Sequence, residues 1–418
     1  MNVGIFTDND FAKVNGVTTT LKAVLAHLPG DVHACVYTAD DAGAERPDYV
    51  SLRAPGVGLP FYREMRVFWP RFSAFVAQAR RDRLDLVHLT TPGPIGLAAR
   101  YVAWRLGLPM IGSFHTLLAE YAEVLSGSRV AGDLMRAYQR WAYSACEVIL
   151  APSDATRRLL VEAAFPGDRL QVWARGVDTT RFTPDKRSAA RRAAWGGSHA
   201  LPIVAYVGRL SKEKGLEDLP AMSRWLRAQG QPHRLLFVGD GPLRAELQRA
   251  CPEAIFTGSV AHDEVPALMA SADVFFFPSR TDTFGNVVVE AQASGLPVIV
   301  TDQGGPCESV RHGETGFVCG TRGPWTLAVA LERLLRDPAR RAQMGTRARQ
   351  AALARSWPLA LAPLFDTWRG AVRPAAVGAL ASAPATVPSL AGVASEGHAM
   401  PRALAIRPNA PAVNGLRP

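Results

Sequence analysis

VFFFPSRTDTFGNVVVEAQASGLPVIVT, residues 274–301, decides how the chain is read. The apolar run Val274 to Phe277 predicts a buried strand, which Pro278 ends. A polar loop follows, Ser279 to Thr283, and then Phe284-Gly285-Asn286. The pattern from about Val287 to Ala293 is helical, Gly295 stops it, and Pro297 to Thr301 is a second buried strand. Strand, loop, helix and strand in that order make a unit of an open α/β sheet. Its loop lies at a strand's carboxyl end, where such sheets bind ligands. Two carboxylates flank the helix start, Asp282 in the loop and Glu290 in the helix. The amides of Phe284, Gly285 and Asn286 sit at a helix amino terminus, which favours anions. Donors for phosphate beside carboxylates for hydroxyls suit a phosphorylated sugar. Taken alone, the stretch also admits a loop whose carboxylates only cap helices.

Working outward, 418 residues are enough for two domains that each bury a core. Hydrophobic residues at 48% and charged ones at 20% fit a soluble globular protein. The net charge of +10 favours anionic partners. Five scattered cysteines without a CxxC pair argue against a disulfide framework or a structural zinc, and fit a reducing compartment. Met1 to Thr7 reads as a first strand rather than a signal peptide. No stretch approaches the roughly 20 apolar residues of a membrane helix. The expected location is the cytoplasm.

Upstream, strand and helix alternate. Strands are expected at Val3 to Phe6, Val32 to Tyr37, Leu84 to Leu89, Pro109 to Ser113 and Val148 to Ala151. Helices are expected from Thr18, at Ile95 to Leu106, at Val130 to Ser144 and, after a Ser153-Asp154 cap, at Ala155 to Ala163. Gly176 to Pro184 is turn-rich and reads as a linker, after which the alternation restarts at Ile203. The expected fold class is α/β, with two Rossmann-like doubly wound domains facing across a cleft. An apolar helix is expected at Trp357 to Arg369. Beyond Arg373 the chain is rich in Ala, Pro and Gly and lacks aromatics, so it is expected to be disordered.

Three further segments carry candidate chemistry. Gly16 lies between the first strand and first helix, where glycine lets backbone approach a ligand beside the Val17 and Thr18 amides. A plain turn glycine explains it equally well. His115, past a strand's carboxyl end, is placed to meet a sugar hydroxyl, or is a satisfied loop residue. Arg209 and Lys214 lie in Val207 to Gly215, between strand and helix. They could grip a diphosphate, the arginine as a fork and the lysine as a point charge, or form a solvated basic loop.

Together these motifs resemble the GT-B retaining glycosyltransferases of family 4. The resemblance rests on Gly208-Arg209-Leu210 with Lys214-Gly215, on Gly239-Asp240-Gly241-Pro242, on the Asp282 and Glu290 pair around Phe284-Gly285, and on Ala293 to Val298. Asn15-Gly16-Val17 and Ser113-Phe114-His115-Thr116 extend it into the first half. It covers roughly residues 1 to 370. The chain looks most like bacterial glycolipid mannosyltransferases that use GDP-mannose, and next like sulfoquinovosyl-diacylglycerol synthases.

The resemblance implies an acceptor-side domain (1–175), a nucleotide-sugar domain (176–355) and a helix crossing back to the first domain (356–372), ahead of the tail (373–418). It implies that Arg209 and Lys214 neutralise the leaving diphosphate, Glu290 holds the ribose and Asp282 binds donor-sugar hydroxyls. The amides of Phe284, Gly285, Asn286 and Val287 would contact sugar and phosphates. Gly16 would line the diphosphate from the other domain, and His115 would contact the sugar near the reacting carbon. The family pattern more often begins with Glu where Asp282 stands, which pulls the contact inward by about one methylene. The implied donor is a nucleotide sugar, the acceptor a lipid or glycan, and no metal or other cofactor is required.

On the acceptor side, Phe61 to Arg83 interleaves aromatics with arginines. It reads either as a surface for an anionic membrane or as a core-facing helix with a solvated basic face, the second being favoured. Two other classes compete. A nucleotide-sugar epimerase would need further acid/base carboxylates at the cleft. A nucleic-acid binder would rest on charge alone, and the charge follows no nucleic-acid motif.

Overall fold

The computed structural model describes residues 1–11, 15–39, 47–59, 62–196, 201–320 and 325–372. The stretch expected to be disordered, 373–418, lies outside the described residues. Two all-parallel sheets organise the rest. The first runs, in spatial order, Tyr49–Ser51, His33–Thr38, Asn2–Phe6, Leu86–Leu89, Met110–Ser113, Val148–Ala151 and Leu170–Val172. The second runs Ile255–Gly258, Arg234–Val238, Ile203–Val207, Val274–Phe277, Val298–Thr301 and Gly316–Cys319. Both are doubly wound. The order reverses between Asn2–Phe6 and Leu86–Leu89 in the first sheet, and between Ile203–Val207 and Val274–Phe277 in the second.

Helices cover both faces of each sheet, so the central strands are apolar throughout rather than alternating. Every residue of Ile203–Val207, Val274–Phe277 and Val298–Thr301 is buried. The expected strands and helices recur, with ends shifted by three residues at most. Features not anticipated include the edge strands Tyr49–Ser51, Leu170–Val172 and Gly316–Cys319, the hairpin Gly56–Leu59 with Tyr62–Phe68, and the helices Leu118–Ser126 and Ala189–Ala194. Three-residue edge strands such as Tyr49–Ser51 are too short to show a period.

Phe61 to Arg83 is not one helix. Tyr62–Phe68 pairs antiparallel with Gly56–Leu59, and a helix begins only at Phe72, running to Arg81 with Phe75, Val76 and Ala79 buried. The first part of this stretch belongs to a separate two-stranded hairpin, with Pro70 between hairpin and helix. Gly176 to Pro184 is likewise no loose linker. Val177 forms a parallel bridge with Ser356, its amide donates to the Arg355 carbonyl at 2.9 Å, and Val177 and Phe182 are buried.

The helix Trp357–Ala371 returns to the first sheet. Trp357, Leu361, Leu364 and Trp368 join a cluster with Val3, Ile5, Leu21 and Trp173. The Trp173 indole donates to the Ala360 carbonyl at 3.0 Å, and Arg369 pairs with Asp31 at 2.9 Å. Among the described residues, no helix is long and apolar enough to cross a membrane.

Candidate active site

The second sheet's reversal point gathers most of the expected residues. The loop after Ile203–Val207 carries Arg209 and Lys214, and the loop after Val274–Phe277 carries Asp282, Phe284 and Gly285. Adjacent parallel strands bring the two loops together. Lys214 Nζ lies 2.9 Å from both Asp282 oxygens, and the side chains are only 15% and 22% exposed. Burial pushes the Lys214 ammonium down, but Asp282, Tyr121 and Glu213 together outweigh it, so the pKa sits above its ordinary value. Lys214 therefore stays charged at any physiological pH. The expectation for Asp282 changes here. In this structure both its oxygens are engaged by the lysine rather than directed at a sugar.

The basic loop is held from behind by the Gly239-Asp240-Gly241-Pro242 turn. The Gly208 amide donates to Val238, Leu210 to Asp240, and Leu243 back to Leu210, each at 2.9 Å. A Cβ on Gly239 would stand 2.1 Å from the Gly208 carbonyl oxygen, so only glycine allows the two loops to dock. The Tyr206 hydroxyl donates to the Arg209 carbonyl at 2.8 Å and fixes the loop's other edge.

The helix beyond the acidic loop runs Asn286–Ala293, one residue earlier than expected. Its N-cap is Gly285 at φ +78°, and no side chain caps it. A left-handed residue is unusual at this position. It turns the chain sharply, and a Cβ there would meet Pro306 at 2.8 Å. The first-turn amides of Asn286 and Val287 thus present the positive end of the helix dipole without an internal side-chain acceptor. Glu290 lies one turn in and is 9% exposed, and no side chain among the described residues hydrogen-bonds to it. Burial raises its pKa to about 7, with Arg181 opposing weakly. A largely buried carboxyl of this kind can accept hydroxyl or amide donors.

The first half meets this site at three points. The Thr283 hydroxyl donates to the His115 carbonyl at 3.0 Å, and Asn286 Nδ2 to the Gly16 carbonyl at 3.4 Å. The Thr283 carbonyl accepts from Ser153 and Thr156 at 2.8 and 3.2 Å, while the Glu308 carboxylate caps the helix Asp154–Glu162 through the Asp154 amide at 2.9 Å. Gly16 therefore lies against the start of the Asn286–Ala293 helix. The Val17 and Thr18 amides are not open to a ligand: both donate to Asn15 Oδ1 at 2.9 Å, and the Thr18 hydroxyl completes a capping box.

His115 is half-buried beside the acidic loop, but its ring is directed inward. Nε2 lies 2.8 Å from Ser113 Oγ, and Nδ1 lies 3.2 Å from Arg175 Nη2. Burial, then Arg175 and His88, hold its pKa well below the ordinary value. Thr283, Glu308, Arg175 and His88 were not anticipated. For His88 the signal was available: a single imidazole inside the otherwise apolar strand Leu86–Leu89 must find a polar partner. Among the described residues, no cluster of His, Cys, Asp or Glu could hold a metal ion.

Two doubly wound sheets with their carboxyl-end loops in contact, and a helix that returns to the first sheet, have the GT-B architecture. Family models agree: residues 14–181 match Glycosyltransferase Family 4, and residues 190–351 match Glycosyl transferases group 1. A GDP-mannose-dependent alpha-mannosyltransferase of Mycolicibacterium smegmatis is 33% identical over 86% of this chain and 94% of its own. The Mycobacterium tuberculosis protein of the same description is 34% identical, with the same coverage. The Arabidopsis thaliana sulfoquinovosyl transferase SQD2 is 29% identical over 85% of this chain and 71% of its own. Among solved structures, Anabaena HepE in complex with UDP and glucose superimposes with a TM-score of 0.70 at 19% identity, covering 88% of this chain and all of that one. The chain belongs to glycosyltransferase family 4.

Proposed function

We propose that this glycosyltransferase moves mannose from GDP-mannose to a lipid-linked or glycan acceptor, with retention at the anomeric carbon. The observation that carries the reading is the second sheet's reversal point. There the loops after two adjacent strands carry a buried lysine paired with Asp282 and a helix start without a side-chain cap, and a buried carboxyl, Glu290, lies one turn into that helix. Arg209, Lys214 and the amides of Phe284 to Val287 neutralise the diphosphate, Gly16 lines it from the opposite half, and Glu290 accepts the ribose hydroxyls. As the sugar–phosphate bond breaks, these groups stabilise charge on the leaving oxygen, which takes the acceptor's proton on the same face. Asp282 exchanges Lys214 for sugar hydroxyls when the donor binds, and His115 walls the sugar subsite. Lysine and amides, rather than a metal-binding carboxylate set, serve the diphosphate. In this scheme residues 1–175 are the acceptor side, 176–355 the donor side and 356–372 the helix that ties them. Mannose is favoured by the identity to the two mycobacterial mannosyltransferases.

The test pairs calorimetry of GDP and UDP with transfer assays from radiolabelled GDP-mannose and UDP-sugars into a membrane extract. Tighter binding of GDP and mannose transfer to the lipid fraction are expected. Transfer from a UDP-sugar alone would move the assignment to the second reading, a sulfoquinovosyl-type transferase, which the SQD2 similarity favours.

A peripheral contact with an anionic membrane is part of the proposal. Val130, Leu134 and Trp141 are exposed at helical spacing on Arg129–Tyr143, and Arg100 stacks over Trp141 at 4.7 Å. Flotation with liposomes containing anionic lipid should carry the protein upward. Failure to float at physiological salt, with full activity on soluble sugars, would remove the membrane from the scheme.

A further inference from the structure

His115 stands at one end of a buried chain that begins on the terminal helix. The Trp368 indole Nε1 lies 3.2 Å from His88 Nδ1, and His88 Nε2 lies 3.0 Å from Ser113 Oγ. Ser113 Oγ lies 2.8 Å from His115 Nε2, and Arg175 Nη2 lies 3.2 Å from His115 Nδ1. The two outer members can only donate, an indole N–H at one end and a guanidinium at the other. His88 must therefore accept at Nδ1, and as a neutral ring it carries its proton on Nε2, toward Ser113. By the same reasoning His115 accepts at Nδ1 and carries its proton on Nε2, also toward Ser113. The serine oxygen has two lone pairs and takes both. Every ring nitrogen along the chain is matched by one assignment of protons, and the serine's own proton is left to point away from both rings.

We propose that Arg175 and Trp368 are positioning residues that lock His115 as the uncharged imidazole with its proton on Nε2. The inference rests on the reading of His115 as a wall of the sugar subsite. Arg175 is buried, its guanidinium stacks 3.9 Å over the Trp173 ring, and another of its nitrogens donates to the Trp173 carbonyl at 2.9 Å. It has no carboxylate partner among the described residues, so nothing cancels its field at the imidazole. Burial disfavours an imidazolium at His115, and so does the charged Arg175 beside it; His88 is the other titratable neighbour. His88 is itself held neutral by burial, its pKa lowered to about 3. An uncharged ring is what the reaction needs there, because positive charge builds on the sugar as the leaving group departs. An imidazolium beside it would oppose that build-up.

The experiment is nitrogen-15 NMR of histidine-labelled full-length protein, with His115→Gln and His88→Gln variants assigning the signals. Both rings should appear as Nε2–H tautomers and stay neutral down to pH 5. Arg175→Met should bring the His115 pKa toward its ordinary value of about 6.5. It should also lower kcat by up to about 100-fold, the scale of a misplacement of about an ångström, with KM for the donor unchanged. The acid limb of the pH profile should rise accordingly, and Arg175→Lys should recover part of the loss. Trp368→Phe keeps the ring but removes the N–H, and should change the His88 tautomer with a smaller effect on kcat. A wild-type His115 that is charged at pH 7 or carries its proton on Nδ1 overturns the inference. So does an Arg175→Met or Arg175→Lys spectrum and pH profile identical to wild type. If Arg175→Met does not fold, the wild-type spectrum and Arg175→Lys decide. Full activity in His115→Ala would instead overturn the subsite reading, leaving the tautomer result to stand by itself.

Discussion

Two helix starts face each other in this molecule, and they are finished differently. Gly16–Ala26 begins under Asn15, whose side chain takes the Val17 and Thr18 amides in a capping box. Asn286–Ala293 begins under Gly285, which has no side chain to offer. The reversal points beneath them differ in the same way. In the first sheet Asp8 closes the gap, accepting from the Thr91 hydroxyl at 2.7 Å and from the Ile95 amide at 2.8 Å. In the second sheet the gap is spanned by Lys214 and Asp282, and no side chain among the described residues donates to Glu290. The same topology therefore makes a closed, internally satisfied end in one half and an open, charge-bearing end in the other. An anion needs donors that no internal side chain caps, and this contrast supports the proposed placing of the donor's phosphates in the second half.

The sharpest way to break this contrast is to remove the open end's charges. Lys214→Ala and Glu290→Ala should each reduce turnover by at least about 100-fold, or about 3 kcal/mol of transition-state stabilisation. Circular dichroism should be unchanged. Near-normal transfer by both variants would overturn the site assignment.

A subtler substitution, Glu290→Gln, should part stability from function. The folded pKa of about 7 is raised from 4.5, so this group's contribution to stability is complete below 4.5 and lost as pH rises through 7. At pH 8 the ligand-free Gln variant should melt higher than wild type, by roughly 1–3 kcal/mol of stability, and at pH 4.5 the two should converge. Ribose hydroxyls donate to the carboxylate and favour its ionised form, so nucleotide affinity in wild type should rise between pH 6 and 8 but not in Glu290→Gln. Thermal melts and calorimetry across that range check both.

Smaller effects are expected at the caps themselves. Gly285→Ala places a Cβ against Pro306 on a left-handed residue, and should lose roughly 1–2 kcal/mol of stability together with donor affinity. Asn15→Ala should lose about 1 kcal/mol by chemical denaturation and leave donor affinity intact. A marked change in donor affinity in Asn15→Ala would show that the first half's helix start is also an anion site, and the contrast would fail.

Much of the second half was legible because its signals are local. Val274 to Phe277, the glycine at 285 and the helical period after it specify strand, turn and helix within a few residues of one another. Arg209 and Lys214 were legible for the same reason, as a basic loop between strand and helix. The first half concealed more. Nothing near Val17 says whether its amide is open, since that depends on how the Asn15 side chain turns. Phe61 to Arg83 carried aromatics and arginines at spacings that fit a helix, yet the Gly56–Leu59 strand captured its first part in a hairpin. His115 was found by position, but the direction of its ring depends on Arg175 and Ser113, and so on how the linker and strand pack.

The sequence alone determined the two alternations of strand and helix, the places where loops meet strand ends, and the order of motifs that marks the family. These follow from hydrophobic period and from glycine and proline punctuation, which act over one or two turns of chain. Only the tertiary structure decided which charged and polar groups are paired. Lys214 meets Asp282 across 68 residues, and Trp368 meets His88 across 280. Such contacts depend on which strands become neighbours, and sheet order is a property of the whole packed chain.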